Sequence, residues 1–203
     1  EFIERRNGDR IGLILFGERA YVQAPLTFDR KTVNTLLQEA SLGMAGERTA
    51  IGDAIGLAIK RLQNNPQQRR TLILMTDGAN NAGELQPLKA AELAQRIGLK
   101  IYTIGIGAEA VRRRSLFGNF TVNPSRDMDE KTLTAIAEAT QGRYFRAHNT
   151  EELAKIYAIL DQLEPVEIEQ QSFRPTRALF YWPLTAAFVL TLSLFGIYIV
   201  KRA

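Results

Sequence analysis

Thr71-Leu72-Ile73-Leu74-Met75-Thr76-Asp77-Gly78-Ala79-Asn80 is the stretch whose reading decides the fold. Residues 72–76 are apolar or β-favouring and uncharged, and an acid followed by glycine comes directly after them. A strand covered on both faces reads as such a continuous run rather than as an alternation. Gly78 and Asn80-Asn81 then supply turn chemistry. The run therefore predicts a central parallel strand with Asp77 at its carboxyl end. In open α/β sheets that edge is where ligands bind. Asp77 reads as a functional carboxylate, or as the turn residue that an Asp-Gly pair favours.

Working outward, Ile11–Phe16 is an apolar strand, and residues 20–23 form a second one that Pro25 ends. The short connection makes the two antiparallel. Asp29 opens a helix to about Ala40, with Val33, Leu36, Leu37 and Ala40 on its inner face. After a loop over 41–48, Ile51, Ala54, Ile55, Ala58, Ile59 and Leu62 repeat at helical spacing. Thr49 reads as the N-cap of that helix. Asp53, one turn in, reads as a surface acid favoured by the helix dipole. Downstream lie a helix over 88–97 capped by Gly98, a strand over 100–105 and an aperiodic loop over 108–126. A helix entered through Asp129-Glu130 follows and ends at Gln141-Gly142. Then come an edge strand over 143–146 and a last helix over 150–163, with Thr150 as its N-cap. Phe2 and Ile3 read as the end of a helix. This alternation predicts an α/β fold: an open, doubly wound, mostly parallel sheet with helices on both faces.

The chain has 203 residues, no Cys and one His, and its net charge is +4. A disulfide, a thiolate metal site and a cysteine nucleophile are therefore excluded. His148 alone, read as a surface residue, cannot build a histidine metal site or a histidine-dependent triad. The positive excess is spread thinly apart from Arg112-Arg113-Arg114, and no basic stripe carries interleaved aromatics, so nucleic acid is not an expected partner. Neither nucleotide-binding glycine fingerprint occurs. Hydroxyl and carboxylate oxygens remain as site chemistry, and they suit a hard divalent cation, Mg2+ above all.

Residues 1–163 read as one domain and residues 164–181, with Pro165 and Pro175, as a linker. Residues 182–200 read as a transmembrane helix. Pro183 to Val200 carries no charge, and at about 1.5 Å per residue it is long enough to cross a bilayer with help from its flanks. Tyr181-Trp182 and Tyr198 suit the interfacial aromatic belt. Lys201-Arg202 place the tail, residues 201–203, on the cytoplasmic side, with the domain periplasmic at an inner membrane.

Five segments together resemble the von Willebrand factor type A (VWA) domain, and more closely the membrane-anchored aerotolerance (Bat) type. They are Gly8-Asp9-Arg10-Ile11-Gly12-Leu13-Ile14-Leu15-Phe16-Gly17, Thr49-Ala50-Ile51-Gly52-Asp53-Ala54-Ile55, Leu72 through Gly78, Ile101-Tyr102-Thr103-Ile104-Gly105-Ile106-Gly107, and Asp129-Glu130 through Gly142-Arg143-Tyr144-Phe145. The resemblance implies a non-enzymatic interaction module with a metal-ion-dependent adhesion site. In that site Thr49 supplies the threonine, Asp77 the aspartate and a D-x-S-x-S loop the rest. The loop is not in this chain, so the resemblance implies that the first central strand and its loop are missing, as in an N-terminally truncated domain. Thr49 and Asp77 are too few donors for the six that Mg2+ requires, so tight metal binding is not expected of the chain as it stands.

Without that strand, buried backbone groups costing about 1–3 kcal/mol each would go unpaired, against a domain's margin of about 5–15 kcal/mol. Residues 1–163 alone are then expected to be unstable, which a cooperative thermal transition would contradict. The implied partner is a protein whose Asp or Glu completes the metal's shell, within a membrane assembly of other VWA or Bat proteins and a moxR-type ATPase. Two other readings stay open on the residues: a metal-dependent hydrolytic or phosphoryl-transfer enzyme using Asp77, and a metal-free membrane scaffold.

Overall fold

β4, Leu99–Ile106, is the strand on which the larger part of the chain is built. Leu99, Ile101, Tyr102, Thr103 and Ile104 are each buried. The computed structural model describes residues 1–41, 43–63, 70–107, 111–115, 118–122, 128–165 and 181–202. It divides the chain into two compact units, Glu1–Ile168 and Glu169–Ala203.

In chain order the first unit holds α1 (Phe2–Arg5), β1 (Ile11–Phe16), β2 (Ala20–Thr27), α2 (Arg30–Gln38), α3 (Ile51–Leu62), β3 (Arg70–Thr76) and α4 (Pro87–Arg96). Then follow β4, β5 (Val111–Ser115), β6 (Gly118–Val122), α5 (Glu130–Ala139), β7 (Tyr144–Ala147) and α6 (Thr150–Leu163). The parallel order is β3-β4-β7, in register from Arg70↔Leu99 to Thr76↔Gly105 and from Thr103↔Tyr144 to Ile106↔Ala147. One core, built from Ile51, Ile55, Leu74, Ala91, Ile101, Leu133 and Ile136, lies under α3, α4 and α5. A second, with Tyr102, Ile104, Phe145, Ile156 and Leu160, lies under α6 on the opposite side of the sheet. Helices thus cover both faces, as the alternation predicts.

The strand bearing Asp77 is not the central one. β3 pairs only with β4 among the described residues, and β1 pairs only with β2. Leu72, Ile73 and Met75 are accordingly half-buried, whereas β4, flanked on both edges, is buried almost throughout. Phe16 of β1 and Leu72 and Leu74 of β3 nevertheless share one core. An apolar run reports coverage of its faces, not of its edges.

Four other expectations need correction. β2 continues through Pro25 to Thr27. Pro25 lies where the register slips between Ile11↔Thr27 and Leu13↔Ala24, so its missing N–H breaks no ladder bond. Leu37, expected on the inner face of α2, is exposed: among the described residues α2 packs chiefly on α1 and the β1–β2 pair, and Val33 is its buried residue. The aperiodic loop contains the antiparallel β5–β6 hairpin, in which Arg113 pairs with Phe120; a run of arginines shows no apolar alternation by which to find a strand. The rest of residues 108–127 lies outside the described residues, apart from the backbone of that hairpin. Finally, α6 is capped by Asn149 and not Thr150: the Glu152 N–H donates to Asn149 Oδ1 at 2.8 Å. His148 is half-buried, with Nδ1 3.1 Å from the Gly107 carbonyl oxygen.

α2 and α5 begin with the same device. Asp29 Oδ1 accepts the Thr32 N–H at 3.1 Å, and Asp129 Oδ1 accepts the Thr132 N–H at 3.1 Å. In both, the threonine hydroxyl donates to the other carboxylate oxygen. These bonds favour the ionised acids and hold both carboxyls below their ordinary value of 3.8. A depressed folded-state pKa adds stability above the unfolded value, which is lost as pH falls through the folded one. Acidification below about pH 4 is therefore expected to loosen the first turns of α2 and α5. Amide exchange at Thr32 and Thr132 should accelerate there, relative to exchange in α4, which has no acidic cap.

The second unit, described by itself, holds α7, Tyr181–Arg202, with mean hydropathy 2.0 and no buried residue. Its 22 residues are long and apolar enough to cross a membrane. Trp182 stands at its start and Lys201-Arg202 at its end, with Arg202 Nη1 donating to Tyr198 Oη at 3.0 Å. Most of the expected linker, residues 166–180, falls outside the described residues.

Candidate functional site

At the carboxyl end of β3 the chain turns through Asp77-Gly78. The Gly78 N–H donates to Thr76 Oγ1 at 3.3 Å, which tightens the turn and leaves Asp77 exposed. Thr49, half-buried, comes from the segment ahead of α3 and arrives beside the same turn: a Cβ placed on Gly78 would lie 3.3 Å from Thr49 Oγ1. The structure therefore brings the two predicted residues to one edge.

Several bonds hold this arrangement. The Asn81 and Ala82 N–H groups donate to the Thr49 carbonyl at 3.0 and 3.2 Å. In return the Thr49 N–H donates to Asn81 Oδ1 at 2.7 Å, and the Ile51 N–H donates to Asn80 Oδ1 at 2.7 Å. Thr49 is not the helix cap. Ala50 occupies that position without a side-chain bond, and Asn80 supplies the missing acceptor from the neighbouring loop. The Thr49 hydroxyl is thus not committed to capping α3.

The β1–β2 turn closes the other side. The Ala50 N–H donates to the Gly17 carbonyl at 2.7 Å, and the Glu18 N–H to the Ala45 carbonyl at 2.6 Å. Gly17 has to be glycine, because a Cβ there would lie 2.6 Å from the Ala45 oxygen.

Asp53 is not a free surface acid. Its Oδ1 accepts the Glu84 and Leu85 N–H groups at 3.1 and 2.9 Å. Sequence reasoning missed this role and those of Asn80 and Asn81. The Thr-x-x-x-Asp spacing and the paired asparagines were visible, but which loop they would reach was not.

A hydroxyl and a carboxylate oxygen are donors for a hard cation. They are two of the six such an ion takes, and among the described residues no group of three or more His, Asp or Glu side chains is placed to hold one. The donor types fit the metal; their number does not complete its shell. A nucleophile with an adjacent base and an orienting third group is likewise not assembled around Asp77 by these residues.

The model of the von Willebrand factor type A domain matches residues 1–159. The chain belongs to the VWA family. An uncharacterized protein of Borreliella burgdorferi is 30% identical over 152 residues, covering 73% of this chain and 45% of that protein. This VWA chain thus spans less than half the length of that relative. The crystal structure of the conserved hypothetical protein BatB from Bacteroides thetaiotaomicron is similar at 26% identity and a TM-score of 0.63, covering 80% of this chain and 82% of that one. Proximal thread matrix protein 1 from the mussel byssus, solved with a zinc-occupied MIDAS motif, shares the fold at 23% identity and a TM-score of 0.60, covering 80% of this chain and 37% of that one. The VWA domain is thus accompanied here by a helix able to span a bilayer and has a Bat protein among its neighbours.

Proposed function

We propose that this chain is a membrane-anchored VWA interaction module. Its metal-ion-dependent adhesion site uses Thr49 and Asp77 as two of the cation's ligands. The observation that carries this reading is the placement of the Thr49 hydroxyl against the turn that presents Asp77. Support comes from β1 and β3, which among the described residues pair only with β2 and β4 respectively and contribute to a common core. One strand laid parallel to β3 would pair with both. Its carboxyl end would then emerge beside Asp77, where a D-x-S-x-S loop would add the oxygens that Thr49 and Asp77 lack. The bound cation, Mg2+ in this proposal, supplies an electrophilic position for a partner's Asp or Glu carboxylate. Such a contact is protein–protein and metal-dependent.

α7 would confine the contact to the membrane surface. Lys201-Arg202 favour a cytoplasmic tail and an extracytoplasmic domain, periplasmic if the membrane is an inner one. The similarity to BatB extends the proposal to other VWA or Bat proteins as partners; a moxR-type ATPase, implied by the family resemblance alone, is part of the same proposal.

Co-purification of the full-length protein from solubilised membranes, with and without EDTA, tests the reading. EDTA is expected to release the partner. Asp77→Ala is expected to abolish the complex while the far-ultraviolet CD spectrum stays unchanged, since Asp77 is exposed. A complex that survives both treatments would leave the metal-free scaffold as the better account.

A further inference from the structure

Asp53 is the third residue of α3, where an acid ordinarily serves its own helix. Here its carboxylate reaches across to the loop between β3 and α4. Oδ1 accepts the Leu85 N–H at 2.9 Å and the Glu84 N–H at 3.1 Å, and Oδ2 lies 3.2 Å from the same Glu84 nitrogen. Two glycines permit the approach. Gly83, at φ +92°, would put a Cβ 2.8 Å from Asp53 Oδ2. Gly52 would put one 1.8 Å from the Leu85 carbonyl oxygen. The loop that starts at Asp77 is therefore pinned at both ends to the first turn of α3: by Asn80 and Asn81 near the strand, and by Asp53 near α4.

We infer that Asp53 is a positioning residue for the Thr49–Asp77 pair, with Gly52 and Gly83 as the space that lets it act. The inference rests on the metal-site reading proposed above. N–H groups donating to a carboxylate make stronger bonds than neutral pairs. Both oxygens are turned toward loop N–H groups, so the side chain restrains the loop and is not offered as a ligand. Holding the loop on α3 fixes the separation of the hydroxyl and the carboxylate before any cation arrives. Ligands so pre-arranged lose less freedom on binding.

The test uses the full chain in detergent micelles with Mn2+ as the probe. The readout is the Mn2+ concentration that half-broadens the Ala50 and Gly78 amide signals. Asp53→Asn keeps one acceptor oxygen and the side-chain volume. It is expected to raise that concentration about tenfold, at the low end of the loss seen when residues supporting a metal ligand are changed. Signals from β4 and α5 should stay in place. Glu84→Gln removes a neighbouring charge without touching the clamp and is expected to shift the midpoint by less than about twofold, as for an exposed charge screened by solvent. If Asp53→Asn does not fold, Gly83→Ala crowds the same carboxylate and should give the same shift. A midpoint unchanged by Asp53→Asn overturns the inference, as does an equal loss in Glu84→Gln, which would make the effect one of charge alone. Broadening that persists in Asp77→Ala would instead overturn the metal-site reading itself.

Discussion

A strand of six or seven apolar, β-branched residues followed by Asp-x-Ser-x-Ser, fused ahead of Glu1, is expected to tighten Mn2+ binding roughly a hundredfold or more, because affinity rises steeply with the number of charged oxygen ligands. The unmodified chain offers a hydroxyl and a carboxylate at the turn after β3 and would bind the ion weakly. The proposed lane for the added strand lies between β1 and β3, which among the described residues pair only with β2 and β4 respectively. Only an orientation parallel to β3 brings its carboxyl end to Asp77. The same fusion should raise stability. Satisfying buried backbone groups removes penalties of about 1–3 kcal/mol each, and each kcal/mol is worth several degrees of Tm in a domain of this size, about 2–4 °C. Mn2+ electron paramagnetic resonance and calorimetry check the two halves. A scrambled strand that tightens binding equally would refute the lane; a strand that stabilises without tightening binding would refute the ligand assignment.

Gly142→Ala is expected to cost about 4 kcal/mol or more, the range reached by single substitutions only through a named steric or burial fault. A Cβ on Gly142 would lie 1.9 Å from the Ile101 carbonyl oxygen and 2.6 Å from its carbon. Those atoms belong to buried β4, which cannot move aside without breaking its ladders to β3 and β7. The turn around it is equally tied: Gln141 sits at φ 60°, and Thr140 Oγ1 accepts the Ile101 N–H at 3.1 Å. Gly98→Ala is the matched control. Gly98 has φ +68° but nothing within 4 Å of its Cβ position, so only the left-handed backbone opposes alanine, at about 1 kcal/mol. Urea denaturation of the two variants, or soluble yield if Gly142→Ala does not fold, compares them. Equal losses would show that β4 yields more readily than its burial implies.

Much of the layout was legible in the chain because it follows from short-range pattern. The apolar runs at 11–16, 72–76 and 100–105 are strands, and the 3.6-residue repeats of α3, α4, α5 and α6 are helices. Asp29 and Asp129 cap their helices as their positions suggest. The errors share a cause as well. Pro25 reads locally as a stop, yet a bulge absorbs it. Leu37 reads as core, yet among the described residues it is exposed. β3 reads as central, yet among the described residues it pairs with β4 alone. In each case the neighbour across space, not the residue, sets the outcome.

By itself the sequence determined the α/β class, the apolar helix that closes the chain, and the family, through motifs whose order survives along the polypeptide. It also put Asp77 at a strand's carboxyl end, which is a local property, while Thr49 was marked only through the resemblance to the family. Only the tertiary structure decided that the Thr49 hydroxyl lies beside the turn that carries Asp77. It alone showed that Asn80 rather than Thr49 completes the start of α3, and that Asp53 clasps the loop beside Asp77. Those facts depend on hydrogen bonds between segments some thirty residues apart. Which distant N–H an aspartate or asparagine meets is fixed by packing of the core beneath it, and no local pattern encodes that.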